Sequence, residues 1–216
     1  MNTKYKILWI WLLLSFGLIN INGQSQTSKN NTIMHKTIDF ELLEKKGIKE
    51  PVMGTTQYEY TLEYEDTDGS LYKISGNRTD GFTEWEIPKL PIFYKVYSEY
   101  YGNGIQKLTG KVIGNGGTRI GIWEYFDENG KKIKETNEDA KYGAFDYNKV
   151  LIFFHLKGLI NLETGENRQN ITMRYNEKEK VWTISVTNEF YMITKYKMHG
   201  ETGDIISSET YQGGEE

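Results

Sequence analysis

The chain has 216 residues, with 26 Lys+Arg against 30 Asp+Glu and no cysteine, so disulfides, thiol nucleophiles, iron–sulfur sites and lipid attachment through cysteine are excluded. A modest acidic balance also argues against a duplex nucleic-acid partner, which wants a basic face. Sixteen Tyr, nine Phe and five Trp accompany 22 Gly and three Pro, and alanine occurs only at Ala140 and Ala144. That composition suits strands joined by tight turns and disfavours a helix-rich fold.

The elements follow in chain order. Lys4 and Lys6 precede the apolar run ILWIWLLLSFGLI at 7–19, and a short polar stretch ends in Asn22-Gly23-Gln24. This pattern predicts a secretory signal peptide over 1–23, cleaved near Gly23 or Gln24, because the run is short of the length a membrane-spanning helix needs; an uncleaved N-terminal anchor is the alternative. Cleavage would remove two lysines and no acid, leaving 24 Lys+Arg against 30 Asp+Glu, a formal charge of −6. The mature protein is then expected in the periplasm or outside the cell, with no stable membrane insertion. Polar, aperiodic residues 24–38 read as a flexible leader. A short helix from Asp39 to Lys46 follows, with Asp39 as cap and Gly47 as stop.

From Tyr58 the period changes to two. Tyr58, Tyr60, Leu62 and Tyr64 alternate with Glu59, Thr61, Glu63 and Glu65. A type I turn at Asp66–Gly69 with Gly69 as a bulge pairs Tyr64 with Tyr72 and Leu62 with Ile74, putting the apolar residues on one face. Residues 76–97 contain Trp85, Pro88 and Pro91, which predict an edge or a connection rather than a central strand. In the stretch GIWEYFDENGKKIKE at 121–135, a three-residue turn with Gly130 as the bulge pairs Glu124 with Lys134 and Tyr125 with Ile133. A two-residue turn would set Glu124 against Glu135, so the bulged register is predicted. Glu63–Gly69 and Glu124–Gly130 share the pattern E-Y-x-D-x-[D/N]-G, and Glu99–Gly104 is a shorter copy beginning 25 residues before Glu124. Such self-similarity predicts hairpins stacked side by side. Residues 146–165 predict a helix capped by Asp146, with strand as the alternative. Residues 171–186 and 191–206 predict two further hairpins. The fold class is therefore mostly β (α+β overall): antiparallel repeat hairpins at 39–140, then a helix and a C-terminal antiparallel sheet at 141–212.

Chemistry-bearing motifs are few. His35, His155 and His199 lack the spacing of a zinc site, and neither a G-x-S-x-G elbow nor a phosphate loop occurs. His155, in an apolar run, reads as a satisfied core or interface residue. The acidic pairs Glu63/Glu65, Asp66/Asp68 and Glu84/Glu86 read as a solvated face. No catalytic residue, cofactor or metal site is therefore predicted. Trp85, Tyr94, Tyr97, Tyr100, Tyr101, Trp123 and Tyr125 occur at both strand parities. They form either a surface that stacks on sugar rings or anchors a protein interface, or the inner layer between packed sheets.

Tyr101, Asn103-Gly104, Lys107, Gly110, Gly121, Trp123, Tyr125, Asn129-Gly130 and Lys132 together resemble the MORN-variant repeat over 97–136, with Glu63–Gly76 as a degenerate outlier. That resemblance implies a stacked hairpin sheet with a binding or scaffolding role and no catalysis. The GNGG stretch at 114–117 and the small copy number depart from longer arrays. More weakly, a helix followed by Trp182-x-Ile-x-Val186, Tyr196, Glu201-Thr-Gly203 and Ile205-Ile206 resembles a PepSY-type module over 146–210, a kind of segment that accompanies secreted peptidases. The expectation is an exported, non-enzymatic protein that contacts a protein or a glycan. An immunity or inhibitor protein against an exported effector or peptidase, and a secreted enzyme accessory domain, are the alternatives.

Overall fold

A computed structural model describes residues 36–188 and 190–213; the predicted signal peptide and most of the leader lie outside the described residues. Helix α1 (Phe40–Lys46) begins where the sequence predicts, with the Asp39 carboxylate accepting from the Leu42 amide at 2.9 Å. It ends where predicted, at Gly47, whose backbone is extended and whose amide closes on Leu43 O at 2.9 Å before the chain turns into the sheet.

Eight strands follow: β1 (Ile48–Pro51), β2 (Tyr58–Glu65), β3 (Leu71–Asn77), β4 (Gly81–Ile87), β5 (Tyr94–Tyr100), β6 (Gln106–Ile113), β7 (Thr118–Phe126) and β8 (Lys132–Asn137). They lie in chain order in one antiparallel sheet, as side-by-side hairpins require. Helix α2 (Tyr147–Leu156) comes next, its first turn capped by Asp146, which accepts from the Lys149 amide at 3.0 Å. A second antiparallel sheet holds β9 (Ile171–Asn176), β10 (Val181–Thr187), β11 (Met192–His199) and β12 (Ile205–Gln212).

The β2–β3 register is the predicted one, with Tyr64 opposite Tyr72 and Leu62 opposite Ile74. The β7–β8 register is a correction. Near the turn Phe126 pairs with Lys132, as the bulged turn demands, but the ladder then shifts by one residue. Glu124 consequently faces Glu135 and Tyr125 faces Lys134, while Ile133 is squeezed out and exposed. Lys132 offsets the like charges, its Nζ bridging Glu124 at 3.0 Å and Glu135 at 2.7 Å, while Lys134 Nζ sits 5.0 Å from the Tyr125 ring centroid. Because β8 is an edge strand, the second bulge disturbs only one ladder.

Strand β4 is a second correction, since it runs between β3 and β5 as an interior strand. Its pairing stops at Ile87, so Pro88 and Pro91 fall in the connection, where their missing amides cost no ladder bond.

One face of the large sheet is the core face. At one end α1 lays Leu43 against Tyr60, Leu62, Ile74, Phe82 and Tyr100. At the other end Ile113 and Ile120 join a core made with Val150 and Phe154 of α2 and Ile171, Met173, Trp182, Ile184 and Met198 of the second sheet. Between them lies a polar patch that corrects the reading of Glu84 as solvated. Glu84 is 4 % exposed, with Lys36 Nζ at 2.5 Å and the Tyr100 hydroxyl donating to it at 3.2 Å. A carboxylate can be buried there because a cation and a hydroxyl meet it. Glu63, Glu65, Asp66 and Asp68 are exposed, as read.

Candidate ligand-binding face

The opposite, outer face of the large sheet carries an aromatic cluster built from β4 to β7 alone. Leu108, Val112 and Trp123 form its buried base, with Trp85, Tyr97 and Tyr125 half-buried against them. Strand pairing explains the assembly. Trp85 faces Tyr97 across β4–β5, and Tyr97 faces Gly110 across β5–β6. Gly110 presents no side chain, and the β6–β7 ladder is irregular there, so the Trp123 ring from β7 fills the gap. The bulged β7 backbone is held from the side by Asp139, whose carboxylate accepts from the Gly121 amide at 2.7 Å.

Ring centroids of Trp85 and Tyr97 are 4.7 Å apart, and those of Tyr97 and Trp123 are 6.3 Å apart. The Arg119 guanidinium carbon lies 4.0 Å above the Trp123 ring, and Arg119 also donates to the Tyr125 hydroxyl at 3.3 Å. The Trp123 indole N–H donates to Lys111 O at 3.2 Å. Tyr97 donates to Glu99 at 3.1 Å, and burial followed by the Glu99 charge pushes its phenol up to about 12. A ledge of partly exposed rings with fixed orientations can take a flat apolar partner surface at little cost in side-chain entropy.

At the end of this face, where the strands meet the 88–93 connection and the 114–117 turn, there is a cavity of about 310 Å³. Ile87, Leu90, Phe93 and Tyr94 give its apolar wall, and Lys95, Asn115 and Arg168 its polar groups. Arg168 spends one guanidinium nitrogen on two backbone carbonyls, Pro88 O at 2.7 Å and Ile92 O at 2.5 Å. Burial first, and then the Arg168 and Lys73 charges, hold the Lys95 ammonium below its usual range.

Of the seven aromatic residues singled out from the sequence, the structure brings four together: Trp85, Tyr97, Trp123 and Tyr125. Trp123, however, is 1 % exposed and serves as the floor of the ledge rather than a contact. The other three are corrections. Tyr100 is buried in the α1 core, and Tyr94 packs on the core shared with α2 while lining the cavity edge. Tyr101 donates to Phe126 O at 2.9 Å, joining two hairpin tips at an offset of 25 residues, where Asn103 Nδ2 also reaches Glu128 O at 3.3 Å. Lys95 and Arg119 were missed, although strand parity places Lys95 beside Tyr97. Arg168 carries no local signal, because only tertiary folding brings it to β5.

His155 and His199 each accept a backbone amide through Nδ1, from Leu162 at 3.4 Å and Glu201 at 3.3 Å; His35 lies outside the described residues. Among the described residues no group of three His, Cys, Asp or Glu side chains is placed to hold a metal ion. No described helix is long and apolar enough to cross a membrane. No protein-family model matches the chain, no curated protein matches its sequence, and no solved structure matches it.

Proposed function

We propose that the protein is an exported, non-catalytic binding module whose aromatic outer face contacts a protein or a glycan. The observation that carries this reading is the cluster of Trp85, Tyr97 and Tyr125 on a sheet face to which neither helix nor the second sheet contributes a side chain. Partly exposed aromatic rings on a rigid strand platform are the groups that dominate such interfaces.

Tryptophan fluorescence and calorimetric titration against a panel of oligosaccharides and peptides test it, with Trp85→Ala and Tyr97→Ala as variants. Loss of binding in both variants is expected at a temperature where each keeps the native circular-dichroism spectrum, some loss of stability accompanying removal of a packed ring. A ligand bound equally well by wild type and both variants would remove this face from the function. Sequencing the N-terminus of the protein recovered from outside the cytoplasm tests export, with a start near residue 24 expected.

A further inference from the structure

The cavity at the end of the aromatic face has the charge of a site for an anion. Its lining holds Lys95 and Arg168 and no carboxylate. Among the described residues neither cation forms an ion pair, whereas Lys73 and Lys107 on the same face are paired with Glu63 and Glu99. Lys95 Nζ has only the Asn115 side-chain oxygen, at 3.3 Å, and Asn115 is itself fixed by donating to Gln169 O at 2.5 Å. Two cations held together in a partly apolar setting without a counter-ion repel one another, and an anion between them would relieve that repulsion.

The neighbours indicate what the anion is attached to. Ile87 follows Trp85 by two residues on β4, and Lys95 precedes Tyr97 by two on β5, so cavity and ledge are successive rows of one face. A ligand reaching from one to the other needs flat rings and, at one end, a negative group.

We propose that this cavity is a subsite for the charged group of an acidic sugar chain. Lys95 and Arg168 bind the carboxylate or sulfate, the ring that bears it rests on Ile87 and Phe93, and the next ring lies on Trp85 and Tyr97. The inference rests on the binding reading above and narrows its ligand class.

Calorimetry with oligogalacturonate, a sulfated dextran oligomer, uncharged maltohexaose and a poly-glutamate peptide tests it on wild type, Lys95→Gln, Lys95→Arg and Trp85→Ala. At least one acidic oligomer is expected to bind about tenfold or more tighter than maltohexaose, with Lys95→Gln losing that margin and Lys95→Arg restoring it. Which acidic oligomer binds distinguishes carboxylate from sulfate. Equal binding of acidic and neutral sugars, unchanged in Lys95→Gln, overturns the subsite and leaves the aromatic face standing. Acidic binding that needs Lys95 but survives in Trp85→Ala supports the subsite and removes the aromatic face. Binding of a poly-glutamate peptide in place of any sugar, or of none of these probes, overturns the proposal.

Discussion

The Trp123 ring lies flat against Gly110: a methyl group added at Gly110 would sit 2.2 Å from Trp123 Cδ2 and 2.3 Å from Cε2. The ring cannot step aside, because Arg119 covers it and its own N–H is tied to Lys111 O. Gly110→Ala should therefore overpack the outer cluster and destabilise the protein by about 1–3 kcal/mol. Urea unfolding with tryptophan emission checks this, a red-shifted native spectrum being the sign that Trp123 has been displaced.

Gly130 holds φ of 78° at the β7–β8 turn, with its amide donating to Asp127 O at 2.8 Å. A β-branched residue resists that conformation, so Gly130→Val should cost about 1 kcal/mol or more, and Gly130→Asn less. Thermal melts of the two variants measure the difference. An unchanged melting temperature for the valine variant contradicts the turn.

Asp146 supplies the side-chain cap for α2, whose Val150 and Phe154 are fully buried beneath the second sheet. Asp146→Ala should lose about 1 kcal/mol, while Asp146→Asn keeps an accepting oxygen and loses little. Denaturant midpoints for the pair decide it, since an equal loss in both would point to charge rather than capping.

Tyr97 gives a pH dependence. Its folded phenol is raised to about 12 by burial and by Glu99, against an ordinary value of 10.0. Between these values the folded state holds a proton that the unfolded state has released. The stability from this group is therefore full below pH 10 and lost as pH rises towards 12. Tyr72, Tyr100 and Tyr142 are raised as well, chiefly by burial, and add to the fall. Tyr97→Phe should flatten part of that decline, and an ultraviolet titration of phenolate should show one late-titrating tyrosine fewer.

Much of the fold was legible locally. Alternation along Tyr58–Glu65 with Gly69 at positive φ sufficed for the β2–β3 register, and Asp39 and Asp146 marked both helix starts, because caps and tight turns depend on a few neighbouring residues. The β7–β8 ladder was misread for the opposite reason. Its second bulge is tolerated only because β8 is an edge strand and because Lys132 reaches two carboxylates at once, and pairwise charge counting has no place for a three-way contact. Glu84 was likewise misplaced, since its partners Lys36 and Tyr100 stand 48 and 16 residues away.

By itself the sequence determined that aromatic side chains occupy both faces of these strands, since their parity is a matter of spacing alone. Which face became core was decided by the tertiary structure. Leu43 of α1 covers Tyr60, Phe82 and Tyr100, and Val150 and Phe154 of α2 cover Ile113 and Ile120, all from one side. Trp85, Tyr97 and Tyr125, at the other parity, were left only partly buried, and folding carried Arg168 to Lys95 at their edge. A strand's alternation separates two faces, but only the element that packs upon one of them removes it from solvent.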